Sequence, residues 1–187
     1  QWIIKSLEGT DFEVSLLDLN YEFLKRIIKD DRFNQNDWLT IVDEWLDRLD
    51  PSVVGVSCIG VATNLLDSDH PLSGVLRHVR MRNTSVVIAG GPVATDEYKD
   101  CLSHGLCHFV VGNEGENKIN YLLKNIYDDL SNEKPVSGIY YVNGGSIDKT
   151  NGGPDVVKLG GNIISTYDSL PIEKYNNVGS LNPFSRM

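Results

Sequence analysis

The chain has 187 residues, 41% of them hydrophobic, and its 17 Lys and Arg against 26 Asp and Glu give a formal net charge of −9. That length buries one large core with room for a tail or hairpin, while two full domains would be crowded. The acidic balance and scattered basic residues argue against nucleic acid as a partner, and the longest apolar run, Val53 to Val61 around Ser57, falls well short of the roughly 20 residues needed to cross a bilayer. Three cysteines (Cys58, Cys101, Cys107) are too few and too irregular for a disulfide framework, and no secretory leader opens the chain, so a reducing cytoplasm is the expected compartment.

Gln1 to Leu7 reads as the closing turns of a helix, with Trp2, Ile3 and Leu7 on one face and Gly9 as its stop. The chain therefore opens inside a fold, and an earlier strand is expected upstream. Phe12 to Leu19 alternates apolar residues and ends at turn-favouring Asp18 and Asn20, which predicts a strand. Tyr21 to Ile28 predicts a short helix. Asp37 is placed to cap a second helix over Trp38 to Leu49, whose apolar face is Ile41, Val42, Trp45, Leu46 and Leu49 and which Pro51 closes.

Val53 to Cys58 is almost wholly apolar and β-branched, the pattern of a strand covered on both faces. Val86 to Ala89 and Phe109 to Val111 repeat it, separated by helical stretches near Leu72 to Met81 and Asp96 to Ser103 and followed by one at Glu116 to Leu130. Alternation of this kind predicts an open, doubly wound α/β domain with parallel strands, helices on both faces, and a ligand site where the strand-to-helix loops share one edge. Val136 to Val142 and Ser146 to Lys149 flank Asn143-Gly144-Gly145, a hairpin signal expected to form an appendage to that sheet. Past Asn151, Gly, Asn and Pro accumulate in a linker-like tail. The expected organisation is a domain over residues 1–135, a hairpin extension over 136–150, and a linker over 151–187.

The loops after the three apolar strands are Ser57-Cys58-Ile59-Gly60-Val61-Ala62-Thr63, Gly90-Gly91-Pro92-Val93-Ala94-Thr95, and Gly112-Asn113-Glu114-Gly115-Glu116. All are rich in small residues. One such loop needs glycine for sterics alone, but three on one edge predict a binding crevice. The familiar phosphate motifs fail: Gly55 and Gly60 have P-loop spacing, yet Val61 and Ala62 occupy the Lys and Ser/Thr positions, and no Gly-x-Gly-x-x-Gly follows a strand. Glu114 and Glu116 stand where a pyrophosphate would meet a helix N-terminus. Their plainest role is to complement that helix dipole, worth about 0.3–1 kcal/mol each.

Cys101, His104, Cys107 and His108 have metal-ligand chemistry within eight residues, but a helix end at His104-Gly105 separates them from the approach to Phe109 and argues against convergence. Cys58 reads as a small buried hydrophobe, and neither His70 nor His78 has an acid and a nucleophile in register. Asp18 is the only strand-end acid of the kind a phosphoacceptor site needs in clusters.

In order along the chain, Phe12 to Asn20, Asp50 to Ser57, Ile88-Ala89-Gly90-Gly91-Pro92-Val93-Ala94-Thr95 and Phe109-Val110-Val111-Gly112-Asn113-Glu114-Gly115-Glu116 resemble the strands and strand-end turns of the cobalamin-binding domain that precedes the catalytic domain of many radical S-adenosylmethionine enzymes. Val136 to Tyr141 and Asp168-Ser169-Leu170-Pro171 resemble that family's exit hairpin and linker, so the likeness runs from Trp2 to Pro171. The chain departs from the family at Val93, where His is frequent, at Asn113, where an acidic or Arg-containing pattern is usual, and in lacking the first strand. The resemblance implies a flavodoxin-like or Rossmann-like fold that binds a corrinoid. Its small-residue contacts would be Ser57, Cys58, Gly60, Thr63, Gly90, Gly91, Pro92, Ala94, Thr95, Gly112, Asn113, Glu114, Gly115 and Glu116. Ser57, Thr63 and Thr95 would hydrogen-bond the nucleotide tail or side amides.

No Asp-x-His-x-x-Gly is present, so the resemblance implies no protein His on cobalt. No Cys-x-x-x-Cys-x-x-Cys is present either, so the [4Fe-4S] cluster and S-adenosylmethionine would belong to a radical domain of the same polypeptide, and this segment alone would be non-catalytic. The parent would be a methyltransferase or cyclase. The alternatives are a degenerate copy that recognises a substrate or partner without a corrinoid, and a flavodoxin-like binder of another small molecule.

Overall fold

The computed structural model describes residues 2–59, 65–67, 70–126 and 136–152. The described residues fall into two compact units, 2–49 and 50–152.

In the first unit, helix α1 spans Trp2–Ser6 and ends through Leu7 at Gly9, whose φ of 75° turns the chain. The strand expected at Phe12 to Leu19 is absent. Residues 12–18 form no ladder, and Leu19 already belongs to helix α2, Leu19–Lys29. Alternation fits a pleated surface only where a neighbouring strand takes the backbone groups; here Val14 and Leu16 stay exposed. Asp18 serves instead as the N-cap of α2, accepting from Tyr21 N at 3.0 Å. Helix α3, Leu39–Leu49, packs Ile41, Val42 and Leu46 inward. A short 3₁₀ turn, Gln35–Asp37, capped by Asn34, precedes it, so the expected Asp37 cap lies inside that turn. Arg26 of α2 and Glu44 of α3 make a two-pronged ion pair at the surface, worth little in water.

The second unit is an α/β fold around an open five-stranded mixed sheet of flavodoxin-like kind. Strands β1 (Val53–Ser57), β2 (Val86–Gly90) and β3 (Phe109–Val111) are parallel, and β4 (Ile139–Asn143) and β5 (Ser146–Lys149) continue the sheet antiparallel in the order β1-β2-β3-β4-β5. Helix α4 (Pro71–Arg82) connects β1 to β2, α5 (Pro92–Asp96) and α6 (Tyr98–Ser103) connect β2 to β3, and α7 (Glu116–Lys124) follows β3. In β2, the successive residues Val87, Ile88 and Ala89 are all buried, as are Val110 and Val111 of β3, so the middle of the sheet is covered on both faces.

One expectation needs correction. β1 is not covered on both faces: among the described residues it is an end strand of the sheet, with Gly55 and Ser57 exposed. The hairpin is the expected extension, joined to the sheet where β4 pairs with β3 through Phe109↔Tyr141 and Val111↔Ile139. Gly144 and Gly145, with φ of 56° and 85°, form its two-residue turn, the geometry whose twist matches the flanking strands. The C-terminal part of the helix expected over Glu116 to Leu130, and the tail beyond residue 152, lie outside the described residues.

Candidate functional site

Parallel pairing in register brings Ser57, Gly90 and Val111 to the same end of the sheet, so the segments that follow them start on one rim. Hydrogen bonds knit these segments together. Cys58 N donates to Gly90 O at 2.7 Å, and Val93 N donates to Cys58 O at 3.3 Å. Thr95 Oγ1 donates to Gly91 O at 2.9 Å and accepts from Asn113 N at 3.2 Å. Gly112 N donates to Gly138 O at 2.9 Å, tying β3's end to the start of the hairpin.

The glycines divide into two kinds. At Gly91, φ is +97° and a Cβ would stand 2.9 Å from the carbonyl oxygen of Cys58; at Gly112 it would stand 2.9 Å from the Tyr140 ring. Both positions are small because this chain's own atoms fill the space. Gly90 is under no such pressure, its nearest neighbour being Val111 O at 3.7 Å. Pro92, Asn113 and Glu114 are exposed at the rim, and Asn113 holds the left-handed conformation with φ 56°. Ala94 is buried beneath them. Gly115 is the N-cap of α7 and offers no side-chain cap. Gly60 and Thr63 lie outside the described residues.

Cys58 joins the rim through its backbone alone. Its side chain is fully buried, and burial, reinforced by Cys101 and Glu97, pushes the thiol up to about 12. It is therefore a protonated, unreactive group at neutral pH. The other two cysteines are buried, and Cys107 is held well above the ordinary thiol range by its neighbour Cys101 and by burial. His104 turns back to Asp100 O at 3.1 Å, while His108 Nδ1 accepts from Val87 N at 2.8 Å at the opposite end of β2. Among the described residues no group of three or more His, Cys, Asp or Glu is arranged to hold a metal ion.

Two residues that sequence reasoning missed, Lys118 and Tyr140, support the rim at Gly112. Lys118 is buried, and its ammonium donates to Gly112 O at 2.7 Å; the signal was a lysine on the helical face of Ile119 and Leu122. Tyr140 packs against Gly112 and stacks on Tyr98 with ring centroids 4.1 Å apart. Asn120, one turn beyond Glu116, has a buried Oδ1 without a hydrogen-bond donor, and Glu116 Oε2 is in the same condition. A cavity of about 520 Å3 opens elsewhere, between α6 and the hairpin, lined by Tyr98, Leu102, Val142 and Ile147 among others. None of the expected site residues lines it.

Comparison with protein-family models, with curated proteins and with solved structures gives no match.

Proposed function

We propose that the carboxyl rim of this sheet binds a corrinoid and that the chain is the cobalamin-binding module of a radical S-adenosylmethionine enzyme. The observation that carries the reading is the convergence of three strand-end segments, remote in sequence, on one hydrogen-bonded rim. Their exposed members are the apolar Ile59 with Ser57, Pro92, Asn113 and Glu114, a mixture of apolar and polar groups that suits a broad, largely apolar ligand edged with amides.

Ser57, Gly90, Pro92, Asn113, Glu114, Gly115 and Glu116 are the described residues that would hold the ring or its side chains. Thr95 acts one step back, because its hydroxyl already joins Gly91 to Asn113. When bound, the corrinoid supplies a cobalt centre able to carry a methyl group or to act as a radical partner. This chain's part is placement. Gly91 and Gly112 let the segments lie close enough to form one rim, and Lys118 anchors the end of β3 from beneath. S-adenosylmethionine and the [4Fe-4S] cluster belong, in this reading, to a radical domain of the same polypeptide.

A second reading, a related domain that recognises a substrate or partner without a corrinoid, draws on the fact that the space at Gly91 and Gly112 is taken up by protein. Mixing the purified protein with hydroxocobalamin, desalting it and recording the visible spectrum separates the two. The first reading expects a retained chromophore near one equivalent. Folded protein that emerges colourless overturns it in favour of the second.

A further inference from the structure

The cavity of about 520 Å3 between α6 and the hairpin shares no lining residue with the carboxyl rim. Its size falls within the range of about 300–1,000 Å3 common to small-molecule sites. Residues directly opposite in an antiparallel pair share a face of the sheet, so Tyr140, Val142, Ile147 and Lys149 stand on one side of the hairpin. Val142 and Ile147 line the cavity there, and Tyr98, Lys99, Leu102 and Ser103 line it from α6. Positions four apart on that helix form two rows, Tyr98 with Leu102 and Lys99 with Ser103. The first row continues the apolar wall of Val142 and Ile147. The second is exposed and polar.

Charge at this cavity has one sign. The Lys99 ammonium lies 5.9 Å from the Tyr98 ring centre and the Lys149 ammonium 6.0 Å from that of Tyr140, and the two rings are stacked. Among the described residues neither lysine is ion-paired, and no described carboxylate lines the cavity. Asp148 lies on the other side of the hairpin, where it accepts from Asn143 Nδ2 at 2.9 Å, and Glu97 accepts from Leu65 N at 2.7 Å. Ser103 also has a hydrogen to give. His104 Nδ1 stands 3.1 Å from Asp100 O, and a carbonyl only accepts, so the ring nitrogen carries the proton. Ser103 Oγ, 3.2 Å from the same nitrogen, then accepts and keeps its own O–H for another acceptor.

We propose that this cavity binds a small apolar carboxylate, its hydrocarbon against Leu102, Val142 and Ile147 and its two oxygens receiving an N–H of Lys99 and the O–H of Ser103. A carboxylate suits two neighbouring donors of which one is cationic. An amide of the same length keeps one acceptor oxygen and loses the charge, and an ammonium meets a charge of its own sign.

The test is a titration of the isotope-labelled whole chain with octanoate, octanamide and octylamine, which share one chain length and are anionic, neutral and cationic, followed by backbone amide shifts. The shifts should gather in Tyr98 to Ser103 and Val142 to Ile147. Octanoate should bind about fivefold or more tighter than octanamide, and octylamine weakest, with the gap narrowing as salt is raised. Lys99→Met keeps the stem and should bring octanoate close to octanamide, whereas Lys124→Met, exposed on α7 and outside the lining, should not. Val142→Asp, at an exposed position, should abolish octanoate binding by setting a carboxylate at the apolar wall.

Equal affinity for the three probes overturns the proposal, and so does a Lys99→Met variant that keeps the full preference for octanoate. Octanoate shifts that fall outside the two segments, or none in either segment below the concentration at which octanoate self-associates, also overturn it. The corrinoid reading is decided separately by hydroxocobalamin and stands or falls without this site.

Discussion

The two ends of the central strands β2 and β3 are finished differently. At their amino end, His108 closes the sheet: its backbone N donates to Val87 O and its Nδ1 accepts from Val87 N, while Arg80 Nε donates to the Gly105 carbonyl. Each of these backbone groups is occupied by another group of the same chain. At the carboxyl end, the contacts between segments run through backbone groups and one threonine hydroxyl, and Ile59, Pro92, Asn113 and Glu114 are exposed. The amino end is thus held by a histidine ring and an arginine, and the carboxyl end, where the proposed ligand would lie, by close backbone approaches.

That contrast breaks most readily at the close approaches. Gly91→Ala combines a backbone conformation hostile to a side chain with a 2.9 Å collision against β1's exit. It should cost about 3 kcal/mol in chemical denaturation. Gly112→Ala meets only the Tyr140 ring, but that ring is stacked on Tyr98 and has little room to yield; a loss of about 1–3 kcal/mol is expected. Near-neutral results at both would mean that the rim is not the tightly joined surface described above.

Lys118→Met should come next. It removes the donor to Gly112 O while keeping most of the stem's volume, and a loss of about 1–2 kcal/mol is expected from the denaturation midpoint. The same change should weaken any rim ligand, since the end of β3 would lose its anchor.

The smallest effect belongs to the amino end and to pH. Burial, and next the Arg80 guanidinium, hold the pKa of His108 below its ordinary value. The unfolded chain therefore takes up the proton first as pH falls. The contribution is fully present above about pH 6.5 and is lost as pH drops from there towards the folded value. Melting temperatures measured across that window should decline in wild type and decline less in His108→Asn, whose side-chain oxygen still accepts from Val87 N.

The sequence displayed the middle of the sheet plainly, because β2 and β3 are buried on both faces and such strands are written as unbroken apolar runs. It displayed the hairpin turn equally well, since Gly144 and Gly145 need positive φ. Phe12 to Leu19 misled because alternation records a face and says nothing of a neighbour to pair with. The hairpin's position beside β3 was hidden for the same reason: pairing across 28 or more residues leaves no local trace. At the rim, the glycines were visible but their purpose was not. Gly91 and Gly112 make room for Cys58 and Tyr140, residues that no spacing rule connects to them. Lys118 was passed over because a polar residue on a helix normally faces water.

The central claim is that a corrinoid lies on the carboxyl rim. Hydrogen–deuterium exchange of the whole chain, with and without hydroxocobalamin, tests it at the level of segments. The account predicts slower exchange on binding in Gly91 to Thr95 and in Asn113 to Asn120, with Tyr98 to Ser103 and Val142 to Ile147 unchanged. Protection confined to those last two segments, which flank the cavity between α6 and the hairpin, would contradict it.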